Sequence, residues 1–405
     1  KISFSAFPNT YFSNFFIENP SMYFQPSIHI EMSSDRPTLT WHRDECITKG
    51  SNNKVNRPTP RSGYSLSTVG GNVFLFGGLD DSSSSSPPGP NNDLYVLRLK
   101  SGETHEWSRI EITNCAVPLP RWRHTASQIN DTEFLIFGGH VSSFHRYNDV
   151  WVFNAITMCW RQPVPKSSKV LDYGNHTVSE WTGSPSPRGG HVAVVIRDLV
   201  YVIGGHGGEE YERAHLNDVF ALDTKRWTWA SLVPSGESPL PEGRSGHGAC
   251  AVGDLIYIFG GNNSQAQFDD LYVLDPSPDT CSWTKIVGCN LPSAIYNHGA
   301  VAIDDYIFVF GGVQQGGVNS EYLSGNTYKN DVWVLNVNDE EPQWYSPPNK
   351  FVNNNDSHQE TQPKPRSDID MTFFSKWIIT FGGWADKWFE DVLILDVSSI
   401  IFSHE

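Results

Sequence analysis

The side chains with the clearest chemical potential are histidines that follow glycine pairs. His140 and His206 each come directly after a Gly-Gly pair. Further imidazole and carboxylate groups lie near them at His145, His215 and Glu209-Glu210. Such groups bind iron or zinc when three or four of them converge. Sequence spacing does not show convergence between separate segments, so a metal-dependent enzyme stays an alternative and not the favoured interpretation.

Other signatures of catalysis are weak in this chain. We find no nucleophile elbow, no phosphate-binding loop and no pair of catalytic carboxylates that stands above the background composition. The sequence therefore predicts no catalytic residues, no metal site and no cofactor.

Aromatic and basic side chains in the predicted loops of this chain favour a site that binds a partner protein or peptide. Trp, Tyr and Arg combine a large buried area with specific polar contacts, and they dominate binding hot spots. A Trp or Tyr in a loop can instead pack on its own part of the fold, and this alternative stays open. The candidate partner-binding residues are Trp122, Arg123, His140, His145, Arg146, Tyr147, His206, Tyr211, Arg213, Tyr296, Trp384, Lys387 and Trp388.

The candidate residues lie in a sequence unit that occurs six times. In each unit, a short apolar run ends in Gly-Gly, as expected of a buried strand that ends where two backbone segments come close. An acidic residue then opens a second apolar strand, and a Trp-bearing strand follows in five units. The glycine pairs begin at Gly77, Gly138, Gly204, Gly260, Gly311 and Gly382; the acidic residues are Asp93, Asp149, Asp218, Asp270, Asp331 and Asp391; the tryptophans are Trp107, Trp160, Trp227 or Trp229, Trp283 and Trp344.

A turn rich in Pro and Gly leads into the first strand of each unit, which begins near Arg and often His. Because these residues repeat with the unit, we expect structural roles for both. The arginines should bond carbonyl groups between units, and the histidines should pack and form hydrogen bonds. The arginines are Arg61, Arg121, Arg188, Arg244 and Arg366, with Ile295 at the sixth position, and the histidines are His124, His191, His247 and His298.

The order of Gly-Gly, Asp, Trp and Pro-Arg resembles the kelch repeat over about residues 37 to 397. The resemblance implies an all-β fold, a six-bladed β-propeller whose blades are four-stranded antiparallel sheets. Radial closure would remove the exposed edges of units that cannot bury both faces alone. The sixth unit lacks a Trp-bearing strand, and the segment Thr38-Leu39-Thr40-Trp41 is expected to complete it beside Asp391–Leu395.

The chain divides into an extension and one propeller in this interpretation. Residues 1–36 are rich in Phe and Tyr and are expected to pack on the propeller or on a partner. Residues 37–405 form the propeller. The long loops after each Gly-Gly and between units emerge on one face, which is the predicted binding surface because scaffolds place function on their loops.

The resemblance also points to one position at the channel mouth. In peptide-binding kelch proteins, an Arg that contacts the ligand can lie two residues after the structural Arg. Of the equivalent residues, only Arg123 offers a guanidinium that could bind a carboxylate. The chain therefore departs from an Arg-lined pocket for acidic peptides. The equivalent residues are Gly63, Arg123, Gly190, Gly246, Asn297 and Asp368.

Charge and cysteine content narrow the function further. The 405 residues include 45 acidic and 29 basic side chains, a net charge of −16, which argues against direct nucleic-acid binding and against an acidic membrane surface. Six cysteines without a CxxC pair indicate free thiols in a reducing compartment, and so a cytoplasmic or nuclear protein. The favoured function is a non-catalytic scaffold or adaptor for a protein or peptide partner within a larger complex. An accessory subunit of a nucleic-acid-processing complex is a second alternative.

Overall fold

The computed structural model describes residues 37–44, 56–80, 88–99, 105–142, 144–167, 183–207, 214–234, 238–277, 281–316, 325–352 and 362–401. The predicted extension, residues 1–36, and the candidates Tyr211 and Arg213 lie outside these ranges. The described residues are built almost entirely of β-strands, with a single helical turn, α1, at Ser398–Ile401. Within these ranges, no helix has the length and apolar character needed to cross a membrane.

The strands are short and follow one another closely along the chain. In chain order, the first are β1 Leu39–Asp44, β2 Arg61–Ser62, β3 Ser65–Val69, β4 Asn72–Phe76, β5 Leu79–Asp80, β6 Gly89–Pro90, β7 Leu94–Arg98, β8 Glu106–Arg109, β9 Thr125–Asn130, β10 Glu133–Phe137, β11 Val150–Asn154, β12 Cys159–Arg161, β13 Lys166–Ser167, β14 Arg188–Gly189 and β15 Val192–Ile196. The others are β16 Leu199–Gly207, β17 Ala214–Asp223, β18 Thr228–Leu232, β19 Gly248–Val252, β20 Leu255–Phe259, β21 Leu271–Asp275, β22 Ser282–Ile286, β23 Gly299–Ile303, β24 Tyr306–Phe310, β25 Val313–Gln314, β26 Thr327–Tyr328, β27 Val332–Asn336, β28 Asn349–Val352, β29 Met371–Phe374, β30 Trp377–Phe381 and β31 Val392–Asp396.

The described residues form eight sheets, of which six follow the six sequence units and are here called blades 1 to 6; the other two, β2-β5-β6 and β25-β26, are small. Blade 5 has a reduced outer strand, in which Tyr345 alone pairs with Val334. Two segments between units add an outer strand in parallel register, β13 beside β18 and β28 beside β1. The blades are β3-β4-β7-β8, β9-β10-β11-β12, β15-β16-β17-β18, β19-β20-β21-β22, β23-β24-β27 and β29-β30-β31-β1. The all-β fold of repeated antiparallel sheets predicted from the sequence is therefore confirmed.

The N-terminal strand belongs to the last blade. β1 pairs antiparallel with β31, and Trp41 lies opposite Leu395, which is the pairing that the sequence analysis predicts. Trp41 is fully buried, and its ring lies 4.7 Å from that of Phe310 in blade 5. The innermost strands β3, β9, β15, β19, β23 and β29 contact one another in succession, and β29 contacts β3.

The core lies between neighbouring blades. Each of six apolar clusters joins side chains from two adjacent sheets, so every blade packs on both faces. The outer-strand tryptophans are buried in these clusters. In blade 3, Trp229 is the buried one, whereas Trp227 lies in the preceding turn with a positive φ of 54°. The outer-strand tryptophan of blade 3 is therefore Trp229 and not Trp227, a choice that the sequence alone leaves open.

The glycine pairs allow the backbone of one blade to approach the next. Gly77 has a φ of 66°, and a Cβ there would lie 2.8 Å from the carbonyl oxygen of Arg121 in blade 2. Any other residue would suffer both backbone strain and this clash, so the glycine is required by geometry.

One expectation about the cysteines needs correction. Cys115 and Cys159 form a disulfide, with Cα atoms 6.1 Å apart, where the loop between blades 1 and 2 packs on strand β12. Cys250, Cys281 and Cys289 are buried free thiols. Free thiols were expected because six cysteines are few for a chain of this length and none forms a CxxC pair; Cys115 and Cys159 are 44 residues apart.

Candidate functional site

The five repeated arginines join the signature residues of their own blade. In blade 2, Arg121 Nη1 donates to the Gly138 carbonyl at 3.0 Å and to Asp149 Oδ1 at 2.7 Å. Its Nη2 donates to Asp149 Oδ2 at 2.9 Å. Fully buried Arg61, Arg188, Arg244 and Arg366 repeat the bond to a glycine carbonyl and the contact with an aspartate. Gly-Gly, Asp and Arg are thus joined in one unit, by hydrogen bonds in blades 2, 3, 4 and 6 and, in blade 1, by an ion pair at 3.6 Å between Arg61 and Asp93.

The predicted link between blades is made by the arginine backbone. The carbonyl of Arg121 accepts the N–H of Gly78 at 2.9 Å, and its own N–H donates to the Asn91 carbonyl at 3.1 Å. Both partners belong to blade 1. The expectation that the guanidinium groups bond carbonyls between blades was wrong, because each guanidinium turns inward to the aspartate of its own blade.

Tyr147 covers one of these arginines. Its ring lies 4.3 Å from the guanidinium carbon of Arg121, as Phe268 and Phe389 lie 4.2 Å and 4.3 Å from those of Arg244 and Arg366. Its backbone N–H also donates to the Gly139 carbonyl. Tyr147 therefore packs on its own blade, which is the alternative that the sequence left open.

Six residues close a ring of backbone hydrogen bonds at one mouth of the channel. Each lies two residues after the structural Arg or its equivalent, and each has a positive φ between 51° and 64°. Each donates its N–H to the carbonyl of the ring residue in the preceding blade, at 2.7 to 2.9 Å. The members are Gly63, Arg123, Gly190, Gly246, Asn297 and Asp368.

The loops after Gly-Gly surround this ring. The residue just before each ring member pairs with the residue just after the glycine pair, as in Trp122 with His140 and Ser367 with Trp384. The same residue after the glycine pair also forms a bridge with the part of its loop that returns to the blade, as Trp384 does with Trp388. The short hairpin turns, such as Gly70-Gly71, lie at the other end of the same strands. The elaborated loops and the ring are therefore on one face.

Arg123 and Asp368 form an ion pair across the ring. Arg123 Nε and Nη2 donate to the two carboxylate oxygens of Asp368, each at 2.8 Å. Gly63 of the intervening blade has no side chain, and a Cβ there would lie 3.3 Å from Arg123 Cγ. A ligand at this position would meet a guanidinium that is already paired with Asp368, and the contact of Arg123 with a partner stays a prediction.

Aromatic side chains flank the ion pair. Trp122 stacks beside the Arg123 guanidinium at 5.0 Å, and Trp384 and Trp388 lie with ring centres 4.5 Å apart. Trp388 Nε1 donates to Ser62 Oγ at 3.3 Å. Burial raises the pKa of the Tyr296 hydroxyl, an effect that the nearby Arg123 charge opposes. We call the set Trp122, Arg123, Tyr296, Asp368, Trp384 and Trp388 the mouth surface; its four aromatic members are half-buried.

Of the remaining candidates, some contact other side chains and others are exposed to solvent. The His140 ring lies 4.9 Å from that of Trp122 and leaves no room for a Cβ at Gly189. Arg146 Nη2 contacts His206 Nδ1 at 2.7 Å, and the His206 and His215 rings are 4.8 Å apart. His145 and Lys387 are exposed. The described ranges contain no group of three or more His, Cys, Asp or Glu side chains placed to hold a metal.

Comparison with known proteins gives one family match over nearly the whole described chain. A protein-family model described as the KLHDC2/KLHL20/DRC7 Kelch-repeats domain matches residues 32–184, 104–312 and 237–404. The structure titled "Structure of YjhT" superposes with a TM-score of 0.59 at 17% identity, covering 84% of this chain and 95% of that one. This likeness concerns the fold.

Three curated relatives are much longer than this chain. The flagellar outer-arm dynein alpha chain of Chlamydomonas reinhardtii is 28% identical over 85% of this chain and 7% of its own length. Host cell factor 2 of Homo sapiens is 31% identical over 56% of this chain and 31% of its own length. Kelch repeat-containing protein 2 of Saccharomyces cerevisiae is 29% identical over 61% of this chain and 26% of its own length. The chain thus spans less than a third of each.

Proposed function

Because the chain belongs to the kelch-repeat family, we propose that it is a non-catalytic scaffold or adaptor that binds a partner protein or peptide at the mouth surface. Kelch-repeat domains are protein-interaction modules, and this chain supplies the residue types that such contacts use. The proposal places the protein in the cytoplasm or nucleus as part of a larger complex.

The observation that carries the proposal is the convergence of half-buried aromatic side chains around the ring. Trp122 comes from blade 2, Tyr296 from blade 5, and Trp384 and Trp388 from blade 6. A partner that covers them would bury a large apolar area around a central charged pair. Hot spots have this composition, aromatic anchors at the centre of a contact surface.

Substitution of two tryptophans tests the assignment. We expect Trp122→Ala and Trp384→Ala to weaken capture of bound partners by roughly tenfold or more. Quantitative affinity purification from cells, followed by mass spectrometry, measures that loss. The melting temperature of each variant shows whether the fold is intact.

A matched control lies at the opposite end of the strands. Ile156, in the turn between β11 and β12, is 75% exposed and apolar, and Ile156→Ala should leave the same partners bound. If the Trp variants fold normally and retain every partner that the control retains, the mouth surface is not the binding site.

A further inference from the structure

A cavity lies between blades 4 and 5, outside the six innermost strands. Its volume is about 310 Å³, at the lower end of the range of small-molecule sites, roughly 300 to 1,000 Å³. Blade 4 supplies most of its wall from β20, β21 and β22, and blade 5 supplies the rest. We call it the rim groove; its main apolar residues are Tyr257, Val273, Ile286, Leu335, Val337 and Pro342.

Two side chains of blade 4 are less covered in the rim groove than their equivalents in the other blades. Tyr257 and Val273 lie opposite each other on β20 and β21, and both are half-buried. In every other blade, both equivalent residues are buried against the next blade. In blade 1, for example, Phe74 and Val96 are only 1% and 2% exposed. The interface between blades 4 and 5 is therefore open where the others are closed.

The outer part of blade 5 explains this opening. In three other blades, the residue two positions before the outer-strand Trp packs on the preceding blade. Leu39 and Cys281 are buried there, and Trp227 is partly buried. In blade 5 this position is Pro342, and the outer strand is reduced to the pairing of Tyr345 with β27. Blade 5 therefore does not cover the apolar face of blade 4 completely.

Aromatic rings fill the corresponding space in two other interfaces. Phe153 of blade 2 is the equivalent of Leu335, and its ring lies 5.5 Å from that of Phe74 in blade 1. Trp227 of blade 3 packs against the cluster that joins blades 2 and 3. Because Tyr257 is the equivalent of Phe74, an aromatic ring from outside the blade would find similar packing in the rim groove.

The edge of the rim groove is acidic. Asp275 is the one charged residue that lines it in the described part of the chain. The turn at residues 338–341 joins two lining residues and adds three exposed carboxylates. Lys285, the basic residue of β22, lies on the opposite face of that strand, where its ammonium contacts the Tyr272 ring. A positively charged group of a partner would therefore be attracted to this edge.

We propose that the rim groove binds a peptide segment of a partner protein in which one aromatic side chain is flanked by Lys or Arg. The aromatic ring would pack on Tyr257, Val273 and Leu335, and the basic groups would face Asp275 and the 338–341 turn. The rim groove lies near the hairpin end of the blade 4 strands, whereas the mouth surface lies at their other end. This second site goes beyond the proposed function and does not depend on it.

A basic peptide with one aromatic residue is the probe for the test. The peptide KTVFVTK carries a fluorescent label, and fluorescence anisotropy at low ionic strength measures its binding to the full chain. We expect saturable binding. Replacing the Phe of the peptide with Ala, or both of its Lys residues with Glu, should weaken binding by roughly tenfold or more, because the first change removes the ring and the second reverses the charge.

Two variants of the protein test where the peptide binds. Pro342→Trp copies the cover that Trp227 provides in blade 3, and it should weaken peptide binding by roughly tenfold. Met158→Trp is the matched control, because Met158 has the same position in blade 2 and is 38% exposed, and it should leave binding unchanged. Glu341→Lys should weaken binding by about threefold at low salt. Asp131→Lys, in an exposed turn of blade 2, makes the same change in net charge and should have no effect.

The melting transition of each variant shows whether it folds, and Glu341→Lys provides the reading if Pro342→Trp does not. Absence of saturable binding, or equal losses in Pro342→Trp and Met158→Trp, would overturn the proposal. Loss of binding in Trp122→Ala alone would also overturn it, because the peptide would then bind the mouth surface. Sedimentation velocity tests for a second copy of this chain as the occupant. Self-association that Pro342→Trp abolishes would assign the rim groove to that copy and overturn the proposal.

Discussion

At the residue scale, the structural arginines show how one missing side chain changes the role of its partner. Asp270 receives two hydrogen bonds from Arg244, at 2.6 and 3.2 Å. The equivalent aspartate in blade 5, Asp331, is exposed because Ile295 replaces the arginine. The same residue type at the same repeat position is therefore structural in one blade and solvated in another.

A pair of substitutions separates these two roles. Asp270→Asn should destabilise the fold by about 3 kcal/mol, because it leaves the buried Arg244 guanidinium without its counter-charge. Asp331→Asn should change stability by no more than about 0.5 kcal/mol. Urea unfolding of both variants measures the difference, and similar losses would show that the ion pair is not what the aspartate contributes.

At the element scale, the sequence predicts most strands but not all of them. The apolar runs before Gly-Gly and after Asp correspond to strands in every blade, because burial on both faces demands continuous apolar residues. The added strands β13 and β28 lie in segments without such a run, since each pairs only along one outer edge. Their formation depends on the neighbouring blade and is not encoded locally.

The closing strand β1 supplies the prediction at this scale. Trp41→Ala should cost about 3 to 5 kcal/mol, because it leaves a cavity between blades 5 and 6 where a fully buried ring has been removed. Val352→Ala on the outer strand β28, where the side chain is 37% exposed, is the control and should cost far less. Denaturant unfolding, monitored by circular dichroism and not by Trp fluorescence, measures both losses of stability. Equal losses of stability would mean that the burial of Trp41 on β1 does not stabilise the packing of blade 5 on blade 6.

At the scale of the whole molecule, the mouth surface arises only when the six blades are brought together. The sequence identifies Arg123 and Asp368 as equivalent positions, but their bond joins residues 245 positions apart. Spacing along the chain carries no information about which ring members face one another. The signal that the sequence does hold is the opposite charge of Arg123 and Asp368 at two equivalent positions.

A double-mutant cycle measures this long-range bond. Arg123→Met, Asp368→Asn and the double variant should give a coupling energy of about 1 kcal/mol, because the pair is bidentate but the Arg123 side chain is 32% exposed. The unfolding free energy of the four proteins gives the coupling. A value near zero would show that the two side chains do not stabilise each other in solution.

The ring of backbone hydrogen bonds also bears on how such a gene could change by duplication. Each ring residue donates to the preceding blade and accepts from the following one, and the last connects to the first. A linear solenoid can gain a repeat at either end because its terminal unit has an unused surface. Here every donor and acceptor of the ring is taken, so an extra copy has no end at which to join. Copy number in this array can change only if the whole circle is rebuilt.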